Sequence, residues 1–286
     1  MRTFELTVTL LILGAVSVPA LAQDSSRASP VAPPRALLAP SPGAAQPMPL
    51  APFSSARDAL RAGVKDYNAG DKLGAARALE YAAGQGDALA LWKLGKMHSI
   101  GDGVPHDDLK AFEYFSKVAD EYADETPGTA SARIVASAFV QLGLYMRDGI
   151  KGTYVKANAP KAVELFQYAA SYYGDADAQY ELSRMHLEGR GVAKDLRQAA
   201  RWLNLSAEKG HIRSQALLGQ LMLAGEMGMP RQAARGLMWL TLARDGADPV
   251  ANADIIDAQK KAFDLASPED REAALIFLKR QMERRR

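Results

Sequence analysis

The chain of 286 residues contains no cysteine, carries a formal net charge of +2, and is 48% hydrophobic and 24% charged. Without cysteine, disulfides, cysteine-ligated zinc and thiol nucleophiles are excluded, so apolar packing has to stabilise the fold. The nearly balanced charge, with acidic and basic residues interspersed, argues against a nucleic-acid-binding protein.

The N-terminus has the features of a secretory signal. Arg2 precedes an apolar run over residues 6–18, and residues 20–22 (Ala-Leu-Ala) supply the small-x-small site that signal peptidase requires. The run is shorter than the ~20 residues that a membrane-spanning helix needs. We therefore predict a signal peptide over residues 1–22 and a mature protein that lies in the periplasm without inserting into the membrane.

Residues 23–52 form a proline-rich segment, because eight of the 15 prolines fall between Pro30 and Pro52. Proline removes an amide donor and fixes φ, so neither a helix nor a central strand is expected here. We interpret the segment as a disordered tether. Two roles stay open for it: a spacer between the membrane and the folded domain, or a tail that a protease or a partner recognises.

An internal repeat organises residues 53–250. Residues 197–201 (Arg-Gln-Ala-Ala-Arg) recur at 231–235, and Gly174, Gly210 and Gly246 are evenly spaced. Each glycine follows small and apolar residues, where a glycine with positive φ is expected to end a helix. The repeat predicts helical-hairpin units near residues 56–86, 87–120, 134–174, 175–210 and 211–246.

Each of the four clearest units contains two predicted helices. The first helix has a central leucine that a small residue follows, at Leu94, Leu142, Leu182 and Leu218. The second helix has an apolar stripe with steps of three and four residues. Its expected N-caps are Asp107, Asn158 and Asp195.

Neighbouring units have to stack, because a single hairpin cannot bury this stripe. We therefore predict an all-α superhelix, or solenoid, of antiparallel helix pairs that runs from about Ser54 to Arg285, curves to the right and has no strands. The extra length after Leu94 predicts an inserted loop around residues 121–132.

The C-terminal region, residues 251–286, is expected to cap the array with helices over residues 252–266 and 268–285. Ser267 is a suitable N-cap and Pro268 a suitable first helical residue. The last residues are basic, and we interpret them either as a solvated helix end or as a binding site for an acidic partner. These residues are Lys279, Arg280, Arg284, Arg285 and Arg286.

The region from Asp87 to Gly246 resembles the Sel1-like repeat family, which is related to the tetratricopeptide repeats. The motifs that carry the resemblance lie at residues 88–95, 101–104 and 107–114, and residues 176–207 repeat them with Trp202. The resemblance implies a superhelix of helical hairpins that binds proteins, although the fold alone does not specify a function.

A closer resemblance, to the ExoR-type periplasmic regulators of alphaproteobacteria, extends over nearly all of the predicted mature domain. It implies a repressor of exopolysaccharide production that binds the periplasmic domain of a membrane sensor histidine kinase, a component of a two-component system. The strings that carry it lie at residues 92–97, 101–105, 110–116, 168–172, 174–180 and 230–245.

No catalytic, cofactor or metal site is predicted. Ser206-x-x-Lys209 matches a penicillin-binding nucleophile motif, but its K-T-G and S-D-N partner motifs are absent from the sequence. The four histidines lack the spacing of a helical zinc site. His98 and His186 lie at equivalent repeat positions. Each ring either packs between helices with a hydrogen-bonded nitrogen, or is a pH-responsive group that gains a proton as the pH falls through about 6.5.

Lys96, Arg184 and Gln220 each lie two residues after a repeat leucine. In related arrays the first helix lines the concave face, so this row is either a partner-binding site or an ordinary solvated face. Three functions stay open. We favour a non-enzymatic periplasmic repressor of a sensor kinase; the alternatives are a general envelope scaffold for a secretion or polysaccharide assembly, and a cell-wall or β-lactam-acting enzyme.

Overall fold

The computed structural model describes residues 53–226 and 230–284, so the predicted signal peptide and proline-rich tether lie outside the described residues. Twelve α-helices and one π-helical turn (Ala169–Tyr173) form this part of the chain, and it contains no strand. The α-helices are α1 (Ala56–Ala69), α2 (Lys72–Gly84), α3 (Ala88–Ile100), α4 (Asp108–Tyr122), α5 (Ala130–Asp148), α6 (Ala159–Tyr168), α7 (Ala176–Glu188), α8 (Leu196–Glu208), α9 (Ile212–Ala224), α10 (Ala233–Gly246), α11 (Ala253–Leu265) and α12 (Pro268–Arg284).

The helices pack as consecutive hairpins. The pairs α1/α2, α3/α4, α5/α6, α7/α8 and α9/α10 make the most extensive contacts, and each second helix also packs against the first helix of the next pair. Helices α11 and α12 both pack against α10. The predicted all-α solenoid is thus confirmed, and its stacking buries the apolar stripe that a single hairpin would leave exposed.

Short polar side chains begin the second helices, as the sequence predicts. Asp107 accepts a hydrogen bond from the Lys110 amide at 3.0 Å, and Asn158 does the same for Lys161 at 3.0 Å. Asp195 caps α8 in this way, and Ser267 caps α12. Each cap provides an acceptor for an amide in the first helical turn that would otherwise have no partner.

The small residue after the repeat leucine lets the two helices of a hairpin approach closely. A methyl group placed on Gly95 would lie 2.7 Å from the Phe115 ring, and one on Gly143 would meet the Phe166 ring in the same way. Both phenylalanines are fully buried. The glycine therefore provides the space in which the aromatic ring of the second helix packs.

Gly246 differs from the prediction. Gly174 and Gly210 adopt positive φ, at 65° and 91°, as expected. Gly246 instead remains inside α10 as its last residue, and the chain leaves the helix through Ala247 in an extended conformation. The connection to α11 starts from this extended residue, so no left-handed glycine is needed here.

The loop between α4 and α5 is shorter than predicted. Helix α4 continues to Tyr122 and α5 begins after the N-cap Thr129. Two tyrosines of the next hairpin hold the loop, because the hydroxyls of Tyr168 and Tyr173 donate to the Ala123 carbonyl at 2.7 and 2.6 Å. Tyr173 ends the π-helical turn, which the sequence analysis did not anticipate.

Candidate partner-binding face

The first helices of four hairpins share a set of partly exposed positions, which we call the first-helix face. These positions lie five, two and one residues before the repeat leucine and two residues after it, whereas the leucine itself is buried in all four hairpins. The exposed or half-exposed members are Leu89, Trp92, Lys93, Lys96, Ser137, Gln141, Leu144, Asp177, Tyr180, Glu181, Arg184, Arg213, Leu217 and Gln220.

The predicted row of Lys96, Arg184 and Gln220 lies on this face, but its three members differ. Within the described part of the chain, the side chains of Lys96 and Gln220 make no hydrogen bond or ion pair. Arg184 pairs with Glu188 at 2.8 Å and lies 4.0 Å from Glu181. Arg184 is thus held by its own helix, while the other two side chains are available to a partner.

Side-chain contacts join successive hairpins along the face. The Trp92 indole N–H donates to the Ser137 hydroxyl at 3.1 Å, which connects α3 with α5. Arg147 donates to Glu181 at 2.6 Å, which connects α5 with α7. Because these partners come from different repeats, they fix the spacing of the first helices on the face.

Arg147, at the end of α5 beside the face, forms with Glu181 the most buried ion pair of the described residues, with exposed side-chain fractions of 18% and 14%. Burial raises the pKa of Glu181, although Arg147 and Arg184 oppose the change. Arg147 donates hydrogen bonds to the Asp148 carboxylate, which raises the pKa of Arg147, and Glu181 contributes to the same effect. The pair is therefore partly desolvated, and losing Arg147 would leave the Glu181 carboxylate with only the more distant Arg184 as a cationic partner, whereas Arg147 would still have Asp148.

The two histidines singled out from the sequence lie away from the first-helix face. His98 is 5% exposed, its Nδ1 lies 3.3 Å from the Pro105 carbonyl, and its ring stacks on Tyr114 at 5.7 Å. His186 is half-buried, and its Nδ1 has no hydrogen-bond partner in the described residues. The two rings thus lie in different surroundings although the repeat places them at equivalent positions.

His211 is a third histidine of interest, which the sequence analysis did not select. It caps α9, because its Nδ1 accepts from the Ser214 amide at 3.2 Å, and its Nε2 lies 3.3 Å from Asp177. Burial lowers its pKa; Asp177 acts in the opposite direction and Arg213 in the same direction. The repeat register could have revealed this role, since Asp175 caps α7 from the equivalent position.

Ser206 and Lys209 make structural contacts. Ser206 is fully buried, and its hydroxyl donates to the Ala176 carbonyl at 2.7 Å and accepts from Ser214 at 2.7 Å. The Lys209 ammonium group donates to the Gly174 carbonyl. Both side chains therefore connect α8 to the beginning of its own hairpin.

No group of three or more histidine, aspartate or glutamate side chains is arranged to hold a metal ion in the part that the structure describes. No helix among residues 53–226 and 230–284 combines the length and the hydropathy needed to cross a bilayer.

Comparison with known proteins is consistent with this architecture. The Sel1 repeat model matches residues 88–121, 140–171, 176–211 and 212–248. An exopolysaccharide production negative regulator of Rhizobium meliloti is 34% identical over 75% of this chain and 78% of its own. The chain belongs to this family of Sel1-repeat regulators.

Two further relatives extend the comparison. The exopolysaccharide production negative regulator of Rhizobium leguminosarum bv. viciae is 33% identical over 76% of this chain and 79% of its own. The crystal structure of a Sel1 repeat protein from Oxalobacter formigenes superposes with a TM-score of 0.59 at 24% identity, covering 80% of this chain and 88% of that one. At this identity the crystal structure supports the fold alone.

Proposed function

We propose that the protein is exported to the periplasm and represses exopolysaccharide production by binding the periplasmic domain of a membrane sensor histidine kinase. The observation that carries the proposal is the first-helix face, which extends over four hairpins and is connected by Trp92–Ser137 and Arg147–Glu181. A preformed surface of this kind loses little conformational entropy on binding. Membership of a family of negative regulators of exopolysaccharide production supports the biological role.

Repression requires that the protein binds one state of the kinase more tightly than the other. A coupling free energy of about 1–3 kcal/mol changes an equilibrium about 5- to 150-fold, so a modest preference for the inactive state is sufficient. No covalent step is needed, because the regulator acts by shifting a population.

A clean deletion tests the proposal in cells. We expect secreted exopolysaccharide and kinase-dependent transcription both to rise, and a plasmid copy of the gene to restore both to the original level. The purified periplasmic domain should bind the regulator directly. Unchanged polysaccharide and transcription, together with no binding between the purified domains, would contradict the proposal and favour a scaffold for envelope assembly.

Charge reversal tests the first-helix face itself. Lys96→Glu should weaken binding to the kinase domain about tenfold, because Lys96 is available for a charged contact that the variant turns into repulsion. Lys117→Glu is the matched control, since Lys117 is exposed on α4, the second helix of the same hairpin. Equal affinities for the two variants would show that the partner binds elsewhere.

A further inference from the structure

A second surface feature lies outside the first-helix face, at the C-terminal end of the array. A pocket of about 320 Å³ opens between α8, α9, α10 and α12. Its polar lining includes three arginines, namely Arg235 of α10 and Arg280 and Arg284 of α12. Arg280 and Arg284 are four residues apart, so both lie on the side of α12 that carries Phe277.

The arginines differ in how they are held. The Arg235 guanidinium lies 5.7 Å from the centroid of the Phe277 ring and donates to Gln232 at 3.1 Å. Among the described residues, neither Arg280 nor Arg284 has a carboxylate within ion-pair distance. Glu208 also lines the pocket, where it accepts a hydrogen bond from Asn204. The described residues of the lining thus include three guanidinium groups and one carboxylate, so the pocket carries a net positive charge.

The floor of the pocket is apolar and rich in methionine. Met222, Met238 and Trp239 line it and are nearly buried, at 9%, 6% and 5% exposure. Methionine side chains are flexible and polarisable, so they adapt to an apolar group of irregular shape. The pocket therefore joins a cationic rim to a floor that suits an aliphatic or aromatic side chain.

We propose that this pocket binds an acidic peptide segment of a protein partner. A carboxylate of the segment pairs with Arg280 and Arg284, whose planar guanidinium groups can each donate two parallel hydrogen bonds to it. An adjacent apolar side chain enters the pocket above Met222 and Met238. The combination favours a peptide over an acidic sugar, because an aliphatic side chain can cover the apolar floor of Met222, Met238 and Trp239, whereas a sugar would place hydroxyl groups against it without hydrogen-bond partners.

The pocket provides a contact that is separate from the first-helix face. Helices α8 and α10 are second helices of their hairpins, whereas the first-helix face is formed by α3, α5, α7 and α9. Met222 of α9 also lines the pocket, but it lies four residues after Leu218 and therefore on the other side of α9 from that face. The inference does not depend on the identity of the partner. It can therefore hold even if the kinase proposal fails, and the two are tested with different probes.

The test uses the mature protein and a fluorescent glycine-serine peptide that carries one Asp-Leu-Glu segment. We expect saturable binding that weakens as salt rises, since exposed charges are screened. Arg280→Gln and Arg284→Gln should each weaken binding about tenfold, in line with the loss of a charge-assisted hydrogen bond. Arg280→Lys should restore only part of the affinity, because lysine keeps the charge but loses the planar fork.

Two controls make the result decisive. Lys279→Gln removes a positive charge from the neighbouring position of α12, outside the pocket lining, and should bind the peptide as the wild type does. A peptide with Asn-Leu-Gln in place of Asp-Leu-Glu should not bind. Circular dichroism identifies any variant that fails to fold, and the milder Arg280→Lys change then provides the comparison.

Three outcomes would overturn the inference. The first is a wild-type protein that does not bind the acidic peptide. The second is equal binding by Arg280→Gln and Lys279→Gln, which would show that the pocket is not the site. The third is binding of a short oligogalacturonate in preference to the peptide, with the same dependence on Arg280 and Arg284, which would assign the pocket to an acidic sugar.

Discussion

The second and third hairpins (α3–α6) and the fourth and fifth (α7–α10) bury different kinds of side chain. The α3–α6 region packs large aromatic rings, whereas the α7–α10 region buries serine and glutamine beside leucine and methionine. The fully buried aromatic residues of the first region are Phe112, Phe115, Phe139, Phe166 and Tyr168. The buried polar residues of the second are Gln179, Ser183, Ser206, Ser214 and Gln215.

One repeat position shows the difference directly. Three residues before the repeat leucine, the earlier hairpins have Leu91 and Phe139, and the later ones have Gln179 and Gln215. The glutamine amides donate to backbone carbonyls of the preceding second helix or its π-helical continuation, at 3.3 and 3.0 Å. At this position, successive hairpins therefore contact each other through apolar side chains in one region and through buried hydrogen bonds in the other. Packing in the first region depends on the shapes of apolar side chains, and packing in the second depends on the hydrogen bonds that the glutamine amide groups donate, although Gln179 Oε1 has no partner in the described residues.

The largest effect is expected in the aromatic region. Phe166→Ala should lower the free energy of unfolding by about 3–5 kcal/mol, because it removes a fully buried ring and leaves a cavity beside Gly143. Leu275→Ala is the control, since Leu275 is 57% exposed. Urea denaturation followed by circular dichroism measures both. A loss below about 1 kcal/mol for Phe166→Ala would mean that the region relaxes to fill the cavity.

A smaller effect is expected where the two regions meet. Arg147→Met should destabilise the protein by about 2 kcal/mol, because Glu181 would keep its half-buried charge without its closest partner. Arg61→Met removes an arginine from the exposed pair with Asp58 and should cost less than about 1 kcal/mol. The same unfolding experiment compares them, and equal losses would contradict the importance assigned to burial.

Two serines test the buried hydrogen bonds of the later region. Ser206→Ala should cost about 1–3 kcal/mol, because it removes two buried hydrogen bonds, one to the Ala176 carbonyl and one from the Ser214 hydroxyl, and leaves Ser214 with only His211 Nδ1 beside it. Ser116→Ala should be neutral or stabilising, because the Ser116 hydroxyl is buried without a hydrogen bond in the described residues. If Ser116→Ala lowered the free energy of unfolding as much as Ser206→Ala, the hydrogen bonds of the serine hydroxyl would not explain the stability of the later region.

The smallest effect concerns pH and His211. Burial holds the pKa of folded His211 below its unfolded value of about 6.5, so the unfolded chain takes up the proton first as the pH falls. The contribution to stability is therefore present above pH ~6.5 and is lost as the pH falls through the folded pKa. His211→Asn keeps an N-cap that does not titrate, and its unfolding free energy should change less with pH.

Denaturation curves across this pH range check the His211 prediction. Asp177 and Arg213 are the charged groups nearest the ring and have to remain in the variant, so that only the titration of His211 is removed. An unchanged pH dependence in His211→Asn would show that another group is responsible.

Much of the repeat architecture could be predicted because its signals are local. Caps such as Asp107 and Asn158 act within three residues, and the small residue after the repeat leucine acts within one hairpin. The boundaries of the loop after α4 were wrong because they depend on Tyr168 and Tyr173, which lie 45 and 50 residues from Ala123. The role of Gly246 was wrong because the chain turns toward α11 through Ala247.

The candidate sites were harder to predict than the fold. Sequence register placed Lys96, Arg184 and Gln220 on one face, but only the structure distinguishes the paired Arg184 from the two available side chains. The sequence also marked a basic C-terminus without indicating that Arg280 and Arg284 line a pocket with a methionine floor.

Local patterns are enough to predict the all-α class, the hairpin repeat and most helix starts, because periodicity and capping depend on residues within a few turns of each other. Which polar groups have hydrogen-bond partners, and which charges are paired, depends on how the helices pack. Ser206 meets the Ala176 carbonyl 30 residues away, and Arg147 meets Glu181 34 residues away. The geometry of such contacts is set only when helices pack together, and no local pattern encodes it.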